Sequence, residues 1–250
     1  YYANEYFDYE GDVINKEYNK FSGGSRVLSE GLLPRRVGLL ALTGALIVMS
    51  IITITYMMFY YSVRPLLALL AIIGITAGIF YSCPPFRWAY RGIGELWIGF
   101  AYGWLTVTSG YYIVTSHIDF TSTLLSLPPA FTVFAVIVIN EFPDYSADAA
   151  VGKRNLVVRL GRDKARFVYG AAVVAAGVSG VLAGYYIGGL PGLLTSTLLL
   201  ILSLYLFHRV VVRRVYLNPS ELEFTCALTI LFNAFSAYPP ILGIILNGVF

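Results

Sequence analysis

Long uncharged apolar runs recur along the chain, and they constrain its fold more than any other feature. A helix needs about 20 mostly apolar residues to cross a bilayer. Only 12% of the residues are charged, about half the share found in soluble domains. We therefore predict an all-α, multi-pass transmembrane bundle with about seven full spans. The predicted spans are residues 37–61, 65–86, 96–116, 120–140, two within 167–207, and 224–250.

The run of residues 167–207 is too long for a single span. Its middle, residues 188–192, reads GGLPG, and closely spaced Gly and Pro residues mark turns. We predict that this turn joins two helices in a tight hairpin. Pro84 and Pro85 are expected to end the second span, because proline breaks a helix.

Basic residues mark one face of the predicted bundle. When the chain is traced through the seven spans, every lysine and arginine except Arg64 falls on the side of residues 1–36. Membrane proteins carry their excess of Lys and Arg in cytoplasmic loops. The sequence therefore predicts an integral membrane protein whose long charged loops, residues 10–36, 140–166 and 208–223, face the cytoplasm.

One acidic phrase occurs twice on that side. Residues 4–12 read NEYFDYEGD and residues 140–148 read NEFPDYSAD. In each phrase an Asn and two Asp are spaced i, i+4 and i+8, so that on a helix they line one face. Duplication on one side of the membrane argues against two ordinary solvated helix ends. The aligned residues are Asn4, Asp8 and Asp12 in the first phrase and Asn140, Asp144 and Asp148 in the second.

Carboxylates crowded on one helix face repel each other, so a cation is expected between them. Mg²⁺ prefers hard oxygen ligands and is often held by one or two carboxylates together with substrate phosphates. Two such helices facing each other could hold Mg²⁺ on a diphosphate and make it a better leaving group. For any single cation near the phrases, membrane topology or lipid headgroup contact is an equally good explanation. The candidate diphosphate ligands are Arg26, Arg87, Arg91, Lys153, Arg154 and Asn140.

These residues resemble the motifs of the UbiA superfamily of intramembrane prenyltransferases. The chain is similar to the branch that prenylates 1,4-dihydroxy-2-naphthoate in menaquinone synthesis. The similar segments are NEYFDYEGD, the GGSRVL that follows it, YRGIGE at residues 90–95, and NEFPDYSADAAVGKRNLVVRLG. The resemblance implies nine transmembrane helices. It also implies that residues 1–250 form a single prenyltransferase domain that lacks an N-terminal part before Tyr1. In that branch the first motif usually ends with a different residue after its last Asp, whereas here Val13 follows Asp12. This difference weakens the assignment of the acceptor and leaves the assignment of the metal ligands intact.

The resemblance also implies a reaction and a role for each residue. Mg²⁺ would bridge the aspartates and a prenyl diphosphate, diphosphate would depart, and an aromatic ring would attack the allylic carbocation. Tyr81 would contact the diphosphate, and Arg87 or Arg91 would supply the basic residue of the same loop. The implied catalytic residues are Asp8, Asp12, Asp144, Asp148 and Tyr81, and the implied metal ligands are Asn4, Asp8, Asp12, Asp144 and Asp148.

Several alternatives stay open at this point. The same chemistry would serve 4-hydroxybenzoate, a glyceryl phosphate lipid or a porphyrin as the acceptor. A transporter or lipid-binding protein is the rival of another class, although transporters tend to place ionisable groups near the bilayer midplane. The expected partners are a prenyl diphosphate, an aromatic acceptor and the lipid bilayer, with no nucleic acid. The sequence does not determine the oligomeric state.

Overall fold

The structure, a computed structural model, describes residues 2–60 and 65–246 of the 250-residue chain. Every regular element within these ranges is helical. The α-helices are α1 (Tyr2–Ile14), α2 (Arg35–Tyr60), α3 (Pro65–Phe80), α4 (Gly94–Ile98), α5 (Thr106–Thr115), α6 (Phe120–Ala150), α7 (Leu156–Leu160), α8 (Arg162–Phe207), α9 (Pro219–Phe235) and α10 (Tyr238–Leu246). The π-helical segments Gly99–Leu105 and His208–Val212 join α4 to α5 and extend α8.

Helices occur at all seven places where the sequence predicts spans. Within the described residues, four stretches are both long and apolar enough to cross a membrane, and the outward side chains of α2, such as Leu40 and Phe59, are largely exposed apolar groups. This surface identifies an integral membrane protein. Tyr61, Arg64 and residues 247–250 lie outside the described residues. The four stretches are Arg36–Tyr56, Phe120–Ala150, Arg162–Val212 and Pro219–Leu246.

Three helix ends differ from the prediction. α3 ends at Phe80, four residues before Pro84 and Pro85, which were predicted to end it, and α6 continues ten residues beyond Asn140 to Ala150. The last predicted span is divided into α9 and α10, and α10 begins directly before Pro239 and Pro240. Proline lacks a backbone N–H and fits the first turn of a helix, where no intrahelical partner is needed. The two prolines therefore start a new helix instead of continuing α9.

The predicted hairpin is present within α8. Gly189 has φ 57° and ψ −142°, which breaks the helix between its two halves. The halves then touch backbone to backbone, because a Cβ added at Gly192 would lie 2.0 Å from the carbonyl oxygen of Gly184. Only glycine permits this distance, so GGLPG specifies the turn, and its Gly192 together with Gly184 permits the close packing of the two helices on either side of the turn.

The hydrophobic core is built around α6. Its N-terminus is capped by Asp119, whose carboxylate accepts a hydrogen bond from the Ser122 N–H at 3.0 Å. Further along, Ile139 and Phe142 are completely buried in a cluster with side chains of α8 and α9, such as Tyr169. Ile139 directly precedes the second acidic phrase and Phe142 lies within it. Packing of α6 therefore also fixes the direction of the carboxylates of that phrase.

Candidate active site

The two acidic phrases meet at one cavity. The first lies on α1 and the second on the last turns of α6. Between them is a cavity of about 240 Å³. The helical spacing predicts that each phrase presents one polar face, and the structure brings the two faces together. All six repeated Asn and Asp residues line the cavity: Asn4, Asp8, Asp12, Asn140, Asp144 and Asp148.

Lys153 joins the two phrases. Its Nζ lies 3.3 Å from Asp8 Oδ2 on α1 and 3.5 Å from Asp148 Oδ1 on α6. The lysine lies three residues past the end of α6, and its backbone N–H donates to the Asp148 carbonyl at 2.9 Å. Burial alone would lower the pKa of Lys153, but the Asp8 and Asp148 carboxylates outweigh it and hold that pKa well above its usual range. The lysine side chain, only 16% exposed, is therefore a fixed positive charge between two carboxylates.

Neutral donors hold the carboxylates of the second phrase. Asn15 Nδ2 donates to Asp144 Oδ1 at 2.7 Å, and the Gly23 N–H donates to Asp144 Oδ2 at 3.2 Å. Asn155 Nδ2 donates to Asp148 Oδ2 at 2.7 Å. The loop after α1 and the loop after α6 therefore both contribute donors to the second phrase.

The two aspartates of the first phrase have fewer neutral donors than those of the second. The Tyr90 hydroxyl donates to Asp8 Oδ1 at 2.7 Å, while Asn4 Oδ1 accepts from the Ser82 hydroxyl at 2.7 Å. Burial, followed by the charge of Asp8, raises the pKa of Asp12 to about 7. Negative charge is thus crowded at the Asp12 end of the cavity, where a cation would be stabilised.

A pair of buried glutamates lies beside the second phrase. Glu141, next to Asn140, lines the cavity, and its carboxyl lies close to that of Glu95. Glu95 is only 1% exposed and accepts a hydrogen bond from the Leu156 N–H at 2.6 Å. The pair therefore connects the cavity wall to the start of α7.

Two of the predicted arginines lie close to the acidic residues. The Arg26 guanidinium donates to the carbonyl oxygen of Asp12 and lies over the Tyr18 ring at 4.1 Å. The Arg87 guanidinium lies 3.7 Å from the centre of the Tyr90 ring, the ring whose hydroxyl binds Asp8. Both arginines border the site, although neither lines the cavity itself.

The other two predicted arginines point elsewhere. Arg91 is exposed and donates to the carbonyl of Pro85 at 3.0 Å. Arg154 is exposed and contacts the Tyr90 carbonyl through its backbone N–H at 3.3 Å. Of the basic residues in the sequence prediction, Lys153 is thus the one whose side chain lines the cavity in the described part of the chain.

Tyr81 lies between the acidic cavity and an apolar one. It lines both, and the second cavity, of about 210 Å³, is formed by α3 and the helix of residues 94–115. Burial, with a further contribution from the Glu141 carboxyl, raises the pKa of Tyr81, so its hydroxyl stays protonated. Small side chains at Gly74, Ala77 and Gly78 leave room beside α3.

Sequence reasoning did not predict the contacts of several site residues. Tyr90 and Glu95 belong to the loop of residues 81–95, which the sequence singles out, and Glu141 repeats Glu5 within the second phrase, but helical spacing gives no information about what they contact. Two residues were missed: Asn15 in the loop after α1, and Asn155 in the GKRN segment that follows the second phrase.

The donor set suits a hard cation. Carboxylate and amide oxygens are the ligands that Mg²⁺ takes, and Asn140 Oδ1 is buried with no hydrogen-bond partner. Within residues 2–60 and 65–246, no three His, Cys, Asp or Glu side chains converge closely enough to enclose an ion by themselves. The carboxylates are spread along the cavity. This arrangement fits a Mg²⁺ site in which the protein provides only some of the ligands and a substrate phosphate provides the rest.

Comparison with known proteins gives a family. A model described as the UbiA prenyltransferase family matches residues 1–236. No solved structure matches the chain.

Curated relatives are similar over part of their length. The chain is 27% identical over 175 residues to the 1,4-dihydroxy-2-naphthoate octaprenyltransferase of Bacillus subtilis, which covers 69% of this chain and 54% of that protein. It is 26% identical over 178 residues to the enzyme of the same name from Mycobacterium leprae, covering 71% and 58%. A 2-carboxy-1,4-naphthoquinone phytyltransferase from Arabidopsis thaliana is 35% identical over 101 residues, covering 38% and 26%. The chain thus spans about half the length of the first of these relatives.

Proposed function

Because the chain belongs to the UbiA prenyltransferase family, we propose that it transfers an isoprenyl group from a prenyl diphosphate to an aromatic acceptor within the membrane. The acceptor class is a quinone precursor such as 1,4-dihydroxy-2-naphthoate, the substrate for which the bacterial relatives are named. One observation carries the proposal: both acidic phrases line one cavity and share the ammonium of Lys153.

The diphosphate belongs at the acidic cavity. Lys153 is the cation best placed for it, because its ammonium already lies between Asp8 and Asp148 and can donate a further hydrogen bond to a phosphate oxygen. The Tyr81 hydroxyl and the Asn140 amide line the same cavity and can donate to phosphate oxygens. Arg26 and Arg87 border it and add positive potential, while Arg91 and Arg154 have the weakest geometric support.

Asp8, Asp12, Asp144 and Asp148 are the residues that would hold Mg²⁺, with Asn4 beside them. When bound, Mg²⁺ would neutralise diphosphate charge and favour its departure. The protein's own part is to orient these carboxylates. The Asn15 and Asn155 amides fix two of them, and Tyr90 fixes a third.

The apolar cavity suits the isoprenoid tail. It adjoins the acidic cavity at Tyr81, so a prenyl diphosphate can place its head among the carboxylates and its chain between α3 and the helix of residues 94–115. An apolar surrounding also keeps water from the reactive carbon.

The chemical step exchanges one bond for another. The allylic C–O bond breaks, and its electron pair leaves with the diphosphate. An electron pair of the aromatic ring forms the new C–C bond to the allylic carbon. The proton or carboxylate group on the attacked ring carbon then leaves, as H⁺ or CO₂, which restores the aromatic ring. The protein binds the two substrates next to each other, and this positioning accounts for much of the rate that such a site can supply.

The proposed topology places the site at the cytoplasmic face. The excess of basic residues on that side supports this orientation. We also propose that residues 1–250 belong to one prenyltransferase domain, since the family match runs through most of the chain.

The experiment that tests the function offers mixed substrates to the purified protein in liposomes. Isoprenyl diphosphates of several lengths are combined with dihydroxynaphthoate, hydroxybenzoate and glyceryl phosphate acceptors, and the products are identified by mass spectrometry. A prenylated naphthoate product is expected. Prenylation of hydroxybenzoate or glyceryl phosphate alone would change the acceptor, and no prenylated product with any pair would overturn the proposal.

A further inference from the structure

The loop after α1 crosses the acidic cavity as a glycine-rich strap, residues 22–25, with the sequence SGGS. Ser22, Gly23 and Gly24 line this cavity, and none of the three lines the apolar one. Gly23 and Gly24 have φ of 73° and 71°, in the left-handed region that glycine adopts without strain. The two glycines therefore give the strap a backbone conformation that most residues would disfavour.

Three consecutive N–H groups of the strap lie at the cavity. The Gly23 N–H donates to Asp144 Oδ2 at 3.2 Å, and the Ser25 N–H donates to Glu5 Oε1. Both acceptors belong to residues that line the cavity. The Gly24 N–H between these two donors has no hydrogen-bond partner among the described residues, and Gly24 is exposed, so a ligand in the cavity can reach it.

The backbone of Gly24 also approaches the first phrase closely. A Cβ added at Gly24 would lie 2.9 Å from Asp12 Oδ2 and 3.0 Å from Glu5 Oε1. Successive backbone N–H groups in a turn form a concave site for anions, and glycine lets the backbone come close to the anion. Carboxylate oxygens already accept two of the strap's N–H groups, and phosphate oxygens are acceptors of the same kind.

We infer that the N–H groups of residues 23–25 bind the terminal phosphate of the prenyl diphosphate. This inference rests on the proposed function and adds to it the groups that distinguish a diphosphate from a monophosphate. Tyr81 lines both cavities, so the tail leaves the acidic cavity there, whereas the strap lines the acidic cavity alone. The phosphate next to the tail therefore lies on the Tyr81 side, and the terminal phosphate extends towards the strap.

The exchange of acceptors at the strap is simple. One phosphate oxygen binds the unpaired Gly24 N–H. Another replaces the Asp144 oxygen on the Gly23 N–H, while Asp144 keeps the hydrogen bond from the Asn15 amide. The strap thus supplies neutral donors at an end of the cavity where the other groups are mostly carboxylates.

The first test removes the Gly24 N–H alone. A backbone ester at position 24, with glycolic acid in place of glycine, deletes this N–H without adding an atom beside Asp12 and without breaking a hydrogen bond of the described residues. Binding of geranylgeranyl diphosphate and of geranylgeranyl monophosphate is measured at equilibrium with Mg²⁺ on the detergent-solubilised protein. The ester form should bind the diphosphate roughly tenfold more weakly than the wild type, as expected for a lost hydrogen bond to a charged group, and the monophosphate within about twofold.

The second test fills the space beside the strap. Gly24→Ala places a methyl group where the phosphate approaches and should cause the same selective loss of diphosphate binding. The matched control is Gly31→Ala, because Gly31 has φ 70° but a Cβ there meets no atom within 4 Å. The control carries the same backbone strain and should keep both affinities within about twofold of the wild type.

The ester form decides the outcome, and retained monophosphate binding shows that it is folded. Wild-type affinity of the ester form for the diphosphate overturns the inference. Equal losses of diphosphate and monophosphate binding also overturn it, because the strap would then support the whole site instead of the terminal phosphate. Failure of the proposed function would look different: the unmodified protein would prenylate no acceptor at all.

Discussion

The two acidic phrases have similar sequences but different surroundings. α6, which carries the second phrase, is part of the hydrophobic core, where Ile139 and Phe142 are completely buried. Among the described residues, the core cluster includes none from α1. The second phrase is therefore held by the packing of its own helix, whereas the first depends on the loops that contact α1.

The carboxylates show the same contrast. Asp144 and Asp148 each accept a hydrogen bond from an asparagine amide. Asp8 relies on a tyrosine hydroxyl and on Lys153, and Asp12 is left with a pKa raised to about 7. A repeated motif thus gives two ligand sets that are not equivalent. One is fixed in advance, and the other is completed by contacts from outside its helix.

The largest effect should come from removing one carboxylate of either phrase. If both phrases hold the same diphosphate, Asp8→Ala and Asp144→Ala should each lower the rate of prenyl transfer by about a hundredfold or more, because charge stabilisation at the leaving group is lost. Initial rates in liposomes measure this. Glu10→Ala, on the exposed side of α1, is the control and should keep the wild-type rate. Normal rates for either Asp variant would show that its phrase takes no part.

Lys153→Ala should have the second-largest effect on activity. Loss of the shared ammonium removes a charged donor, so KM for the prenyl diphosphate should rise by roughly tenfold or more, while KM for the aromatic acceptor changes little. Lys153→Arg keeps the charge and should recover part of the loss. Lys20→Ala, which removes an exposed lysine, controls for net charge. An unchanged donor KM in Lys153→Ala would remove this residue from the diphosphate site.

A pair of milder variants sharpens the contrast between the phrases. Tyr90→Phe deletes the hydroxyl that binds Asp8 and should lower the transfer rate several-fold without changing thermal stability. Asn155→Ala deletes both the amide bound to Asp148 and the N-cap of α7, whose side chain accepts from the Val158 N–H at 2.8 Å. It should therefore also lower the free energy of unfolding by about 1 kcal/mol. Thermal denaturation of both variants in detergent separates these outcomes, and equal melting temperatures would contradict the contrast.

The smallest effect concerns the apolar cavity. A Cβ at Gly78 meets no atom within 4 Å, so Gly78→Leu should be accommodated on α3 and occupy part of the space proposed for the tail. Long isoprenyl donors should lose roughly three- to tenfold in kcat/KM relative to short ones. Gly78→Ala is the matched control. The same chain-length profile in Gly78→Leu and in the wild type would place the tail elsewhere.

The sequence predicts the parts of this molecule that depend on local patterns. Apolar runs give the helices, GGLPG gives the hairpin of α8, and the i, i+4, i+8 spacing gives the two polar faces. The end of α6 was harder to predict from the sequence, because hydropathy falls after Asn140 although the helix continues to Ala150. Low hydropathy reports where the apolar core ends, and helices can extend beyond it.

Contacts supplied by loops could not be predicted from spacing. Tyr90, Asn15 and Asn155 reach the carboxylates because of how their loops fold over α1 and α6. The basic residues illustrate the same limit. Lys153 and Arg154 are neighbours in sequence, yet one side chain lines the cavity and the other is exposed. Which neighbour turns inward is decided by tertiary packing.

The central claim is that the two phrases bind one prenyl diphosphate together through Mg²⁺. Equilibrium binding of radiolabelled geranylgeranyl diphosphate, with Mg²⁺ and with EDTA, tests it directly on the wild type, Asp8→Asn, Asp148→Asn and the double variant. We expect tight binding that EDTA removes in the wild type, loss of the Mg²⁺-dependent part in each single variant, and little further loss in the double variant. Wild-type, Mg²⁺-dependent affinity in either single variant would contradict it.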